Sequence, residues 1–92
     1  MTGIDLISKE RKEQLTKHHR SIIKDVQDNC NGQLRSGARK LLIPNPSNLE
    51  DYPPEGWDKR IWKKMCNKPY KQRLIIAGAL IAAEIDRKLY NE

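Results

Sequence analysis

The sequence predicts an all-α domain of about four helices with a proline-rich strap, joined to other copies through its C-terminal helix. Three observations carry that expectation. Residues 74–85 form an almost unbroken apolar run, closed in register by Glu84, Asp86 and Arg87. Leu15, His19, Ile22 and Val26 recur at spacings of four, three and four, which makes one face of a helix. Residues 43–56 hold four prolines and no helical period, so they read as an ordered loop or strap between helices.

Each element follows in order. Ser8 can cap a first helix whose early turn carries Glu10 and which continues past Asp28 until Gly32 interrupts it. Its opposite face holds Lys9, Lys12, Glu13, Lys17, Lys24 and Gln27 and is solvated. A second helix spans residues 33–42, with Leu34, Ala38 and Leu41 or Leu42 inward, and Pro44 ends it. The strap follows, and a loop of that length inside a small domain is often functional. A third short helix covers residues 57–66. The last runs over residues 69–90 with Asn67 as its cap. In this last helix Ala77, Gly78, Ala79, Ala82 and Ala83 let another backbone approach, while Leu74, Ile75, Ile76, Leu80, Ile81 and Ile85 supply bulk. A run apolar on every side is expected to be covered by its own domain and by a partner chain.

Length and composition bound the rest. Ninety-two residues make one domain, here 1–92, and a chain this short gains stability by association. Hydrophobic residues are 37% and charged residues 33%, with no Phe, which suits a thin helical core in a solvated shell. The formal charge of +6 favours anionic partners without choosing among them. About ten apolar residues precede Glu84, against the roughly 18 needed to span a bilayer, so no membrane partner is expected. Cys30 and Cys66 lack metal-ligand spacing and read as reduced thiols. The N-terminus carries no secretory pattern, and a cytoplasmic protein is expected.

Three constellations could carry chemistry. His18-His19-Arg20 is the first. Adjacent helical residues point about 100° apart, so both histidines cannot ligate one metal, and no nucleophile arrangement accompanies them. The second is residues 29–33, Asn-Cys-Asn-Gly-Gln, where Gly32 can take positive φ and leave backbone N–H groups at the start of a helix, with Arg35, Arg39 and Lys40 close behind. A plain connection between helices is the simpler account of that turn. The third is residues 57–64, where Trp57 and Trp62 are interleaved with Lys59, Arg60, Lys63 and Lys64. Flat rings beside cations suit a stacked base and its phosphate, although core packing explains the rings equally well. Glu84 and Arg87 can pair along the last helix, since a carboxylate near an apolar seam requires Arg11, Arg73 or Arg87 beside it.

The order Ile7, Glu10-Arg11, Gln14, His18, Asp25, Asn29, Gly32-Gln33-Leu34, Ala38, Pro54-Glu55-Gly56-Trp57, Trp62 and Ala77-Gly78-Ala79-Leu80-Ile81-Ala82-Ala83-Glu84-Ile85-Asp86-Arg87 resembles a small phage and prophage domain. That domain is known as the N-terminal part of dATP/dGTP diphosphohydrolases and also occurs alone. The chain departs from it where an acidic, histidine-rich segment is replaced by residues 24–29, Lys-Asp-Val-Gln-Asp-Asn, which weakens a metal role. The resemblance implies a nucleotide context without the hydrolase part. A small, basic, helical phage domain is also similar in kind to anti-defence sponges that bind cyclic oligonucleotides or cyclic ADP-ribose derivatives. The resulting expectation is a homo-oligomer that binds a nucleotide-derived small-molecule signal without catalysis, cofactor or metal. His18, Arg20, Asn31, Gln33, Arg35, Trp57, Lys59, Arg60, Trp62, Lys63 and Arg87 are the candidate ligand residues. The alternatives are a dNTP pyrophosphohydrolase using Glu84, Asp86, Asp25 and Asp28 around Mg²⁺, and a small nucleic-acid-binding module.

Overall fold

The computed structural model describes residues 1–16, 22–43 and 52–90. Among these residues it is all helical, with no strand: α1 (Gly3–Thr16), α2 (Ile22–Asp28), α3 (Gln33–Leu41), α4 (Lys59–Cys66) and α5 (Tyr70–Tyr90). The expected His18, His19 and Arg20 cluster, Pro44 and most of the strap lie outside the described residues. No helix is long and apolar enough among the described residues to cross a membrane.

The first helix begins a turn and a half before the expected Ser8 cap. Thr2 and Asp5 bond reciprocally: the Asp5 N–H donates to Thr2 Oγ1 at 3.2 Å, and the Thr2 N–H to Asp5 Oδ2 at 3.0 Å. Two donors at the helix start are satisfied together, in the manner of a capping box with a shorter acid. Ser8 is therefore interior.

The inner face of α1 also differs from expectation. Leu15 is 39% exposed, and the buried residues of α1 are Arg11 and Gln14. In the next segment Asp25 and Asn29 are the buried pair. A 3.6-residue pattern read only from apolar residues misses this seam, because polar groups enter the interior when they are paired. Arg11 supplies that pairing. Its Nη2 lies 3.2 Å from Asp86 Oδ2 and its Nη1 4.0 Å from Asp25 Oδ2.

The core is built by α3, α4 and α5. Leu34, Ala38 and Leu41 fall at i, i+4 and i+7 on α3 and meet Ile76, Ala77, Leu80 and Ala83 of α5, with Trp62 of α4 closing the cluster. Helix α5 packs most heavily on α3 and α1 and also meets α2 and α4, so its apolar run is covered largely by its own chain. The small residues serve these internal contacts. A Cβ added at Gly78 would lie 2.6 Å from Ile7 Cδ1, which means α1 occupies the approach expected for a partner. The small residues thus admit another helix backbone as expected, and here that helix is the chain's own α1.

The junctions explain the remaining boundaries. Asp58 caps α4, its Oδ1 accepting the N–H groups of Arg60 at 2.8 Å and Ile61 at 3.3 Å, so the helix starts two residues later than expected. Asn67 belongs to the end of α4, where its N–H and its side-chain amide both donate to the Lys63 carbonyl. It does not cap α5. The start of α5 is tied to the end of α3 by buried Arg73, which donates to the carbonyls of Lys68 at 3.1 Å, Ile43 at 2.6 Å and Leu41 at 3.4 Å. A guanidinium at those last carbonyls also complements the negative end of the α3 dipole.

Candidate functional site

The turn between α2 and α3 takes its shape from Gly32, whose φ of 81° is a left-handed conformation that costs glycine little. No side chain caps α3 at Gly32. Gln33 folds back over the turn instead, its Oε1 accepting from the Asn31 N–H at 2.7 Å and its Nε2 donating to the Asp28 carbonyl at 3.2 Å. Gln33 is thus a buried brace for the turn. Arg35, on the surface, curls back toward Gly32, and a Cβ there would stand 2.8 Å from an Arg35 guanidinium nitrogen. Asn31 is exposed beside it.

The two tryptophans take different roles. Trp62 is wholly buried in the core, so no ligand base can reach its face in the folded chain. Trp57 is half-buried, stands edge-on to Trp62 with ring centres 5.9 Å apart, and donates its Nε1–H to Asn29 Oδ1 at 2.8 Å. Asn29 in turn donates from Nδ2 to Asp25 Oδ1 at 2.9 Å. The second and third constellations of the sequence are therefore joined, with the Trp57 ring held against the turn that leads into α3. Gly37 makes this close approach possible, since a Cβ there would come within 2.8 Å of Trp57 Cη2.

The outward faces of α3 and α4 are basic. Arg35 and Arg39 lie a turn apart on α3, while Lys59, Arg60, Lys63 and Lys64 are all exposed on α4, a helix with no acid in its first turn. Arg60 is partly balanced by Asp58 at 3.6 Å. The backbone N–H groups of Arg60 and then Ile61, with the Arg60 charge behind them, hold the Asp58 carboxyl below its usual range. Lys40 is engaged elsewhere, donating to the Tyr52 carbonyl at 2.8 Å.

Other candidates are not drawn together. Arg87 Nε binds Glu84 Oε1 at 2.6 Å, both side chains mostly buried, so this guanidinium is committed to its own helix. Asp25 and Asp86 flank Arg11, which puts a guanidinium where the hydrolase alternative places a metal. Among the described residues no three His, Cys, Asp or Glu side chains converge to hold an ion. Cys30 and Cys66 are not joined in a disulfide.

One concavity escaped the sequence reading. A groove of about 250 Å³ lies between α1 and the start of α5, lined by Leu6, Lys9, Glu10 and Glu13 on one side and Lys68, Gln72, Ile75 and Ile76 on the other. Its two lysines and two glutamates balance in sign, so it does not select an anion. The Leu6, Glu10 and Glu13 spacing was the sequence signal for that wall.

Compared with known proteins, the chain matches no family model, no curated protein and no solved structure.

Proposed function

We propose that this chain is a non-catalytic binding protein for a phosphate-bearing, nucleotide-derived small molecule, of the kind that sequesters a cyclic oligonucleotide or cyclic ADP-ribose-type signal. The observation that carries the reading is the placement of Trp57, half-buried and oriented by Asn29, beside surface helices that present Arg35, Lys59, Arg60 and Lys63. A ring fixed by its own hydrogen bond offers a stacking face with little ordering cost, and base stacking on an aromatic contributes about 1–3 kcal/mol. Guanidinium and ammonium groups around it neutralise phosphate. The resemblance of residues 77–87 to the phage nucleotide-associated domain supports the same ligand class.

The test is a binding screen of the purified chain against cyclic dinucleotides, cyclic trinucleotides, cyclic ADP-ribose isomers and dNTPs, with bound ligand recovered after heat denaturation. Intact recovery is expected, together with loss of binding in Trp57→Ala and Arg60→Ala under a preserved helical spectrum. Cleaved ligand would turn the reading to an enzyme. Unchanged affinity in both variants would remove the site from α3 and α4.

A second reading has one observation in its favour: the cations of α4 lie on an open face rather than in a closed cleft, as suits a nucleic-acid backbone. It predicts affinity for oligonucleotides that falls steeply with salt. A small ligand making two or three phosphate contacts has a much shallower dependence.

A further inference from the structure

The positive charge of the chain is concentrated in one stretch. Residues 59–83 hold seven of the eighteen cations and none of the twelve acids, so the rest of the chain is net −1 and the whole excess of +6 arises here. Arg73 is buried and bound to backbone carbonyls, and the other six cations are exposed between Lys59 and Lys71. Helix α4 gathers four of them on one side. At about 100° per residue, Lys59, Arg60, Lys63 and Lys64 fall within an arc of about 140°, while Trp62 turns away from them into the core. Lys71, in the first turn of α5, carries the charge past the corner between the two helices. Two of the six are partly offset. Arg60 stands 3.6 Å from Asp58, and Lys68 borders the groove whose other wall holds Glu10 and Glu13. Lys59, Lys63, Lys64 and Lys71 are the charges this corner offers outward.

We propose that this corner binds the phosphate backbone of duplex DNA without reading its sequence. The proposal rests on the open-face reading of α4 given above and names the partner and the residues. Charge complementarity is the first argument. A duplex carries one negative charge per about 1.7 Å of its axis, so cations spread along a helix and the corner after it each meet a phosphate, and neutralising them releases counterions. The chemistry of the face selects a duplex over a single strand. Single strands are held by aromatic rings on which unpaired bases stack. From Lys59 to Lys71 the aromatics are Trp62, which is wholly buried, and Tyr70, whose ring faces the Arg73 guanidinium at 5.2 Å. Charge without a stacking platform suits a backbone whose bases are already paired. Ammonium groups on phosphates fix position and carry no base information, so binding is independent of sequence.

Fluorescence anisotropy of a short labelled DNA duplex, titrated with the full chain at increasing salt, tests it. Four phosphate contacts give a slope of about −3.6 in log affinity against log salt, roughly a 100-fold loss between about 50 and 200 mM. Lys64→Gln with Lys71→Gln is expected to halve that slope to about −1.8. A charge-matched control, Lys12→Gln with Lys88→Gln, is expected to keep it, and all four positions are exposed, so the helical spectrum is expected to stay unchanged. Neither Lys64 nor Lys71 belongs to the proposed small-ligand site, so affinity for a cyclic dinucleotide is expected to be the same in the first pair as in wild type. No duplex binding at low salt overturns the proposal together with the open-face reading. Binding whose slope is unchanged in the first pair, or falls equally in the control, overturns this surface while the open-face reading stands. Tighter binding of a single strand, or of anionic phospholipid vesicles, at equal salt overturns the duplex as the partner.

Discussion

Replacing Arg11 by Met should cost more than any other substitution on α1, and its size follows from where the two carboxylates sit. The Arg11 guanidinium faces Asp86 at 3.2 Å, but that partner is 39% exposed, so this half of the contact is worth at most about 1 kcal/mol. Asp25 is 1% exposed and lies 4.0 Å away. Two unit charges at that distance attract by about 4 kcal/mol at an effective dielectric near 20. Removing one member of such a pair typically costs about 3–5 kcal/mol, because the other charge stays buried. A chain of this length has a total stability of about 5–14 kcal/mol, so the variant should lie near the edge of folding. Urea denaturation followed by helical signal should show the midpoint fall by about 2 M for a slope near 1.5–2 kcal/mol per M. Arg11→Met with Asp25→Asn should recover at least half of the loss, since the buried charge leaves with its partner. Asp86→Asn alone should stay within about 1 kcal/mol of wild type. An Arg11→Met loss below about 1 kcal/mol, or a double variant no better than the single one, would refute the assignment of a buried pair.

Three further outcomes are expected. Gly37→Ala gains about 1 kcal/mol of helix propensity but drives a Cβ to 2.8 Å from the rigid Trp57 ring, an overpacking cost of about 1–3 kcal/mol, so the net should be a loss of about 1 kcal/mol with a shift in tryptophan emission; a stabilised variant with unchanged emission would contradict the close approach. Arg73→Met removes a charged donor from the carbonyls of Leu41, Ile43 and Lys68 and should cost about 3 kcal/mol by denaturation, and Arg73→Lys should recover less than half of it, because one ammonium cannot span all three. Asp5 and Asp58 both titrate below the ordinary carboxylate value, Asp5 through the Thr2 backbone and then its hydroxyl, Asp58 through the Arg60 and Ile61 amides. Their folded values being depressed, the stability they contribute is present above about pH 3.9 and is lost as pH falls through the lower folded values. Amide shifts of Arg60 and Ile61 should follow that titration in wild type and flatten in Asp58→Asn, which keeps an accepting cap without the charge.

Fold class was legible because it rests on gross pattern. The Leu34, Ala38 and Leu41 spacing placed α3 to within a residue, and the apolar run placed α5. Their signals are local and repeat several times. What escaped the sequence depends on pairings across the fold. The Thr2 and Asp5 box was written in the chain, yet Ser8 and Glu10 offered a competing start, and nothing local ranks the two. The polar seam of Arg11, Asp25 and Asn29 was invisible to a search for apolar periods, which pointed to Leu15 instead. For the tryptophans, the interleaving with cations left stacking and core packing equally open and did not say which ring turns inward. The convergence of Asn29 and Trp57 joins residues 28 apart, and only tertiary structure brings them together.

The polar contacts that escaped the sequence run as one chain through the molecule. Asp86 of α5 meets Arg11 of α1, Arg11 faces Asp25 of α2, Asp25 accepts from Asn29, and Asn29 accepts from Trp57 ahead of α4. Three helices, α1, α2 and α5, are thereby tied to the orientation of one indole ring. Apolar packing alone tolerates rotation of a half-exposed ring, whereas hydrogen bonds joined through the 4.0 Å ion pair of Arg11 and Asp25 restrain it. A substitution at Arg11, on α1 and separated from Trp57 by Asp25 and Asn29, should therefore alter Trp57 emission while the protein is still folded. Under the proposed function it should also weaken ligand binding without touching the ligand, and Asp25→Asn, which leaves an acceptor for Asn29, should weaken it less. Equal effects of Arg11→Met and Asp25→Asn on emission would mean that the ring is held by Gly37 and Trp62 alone.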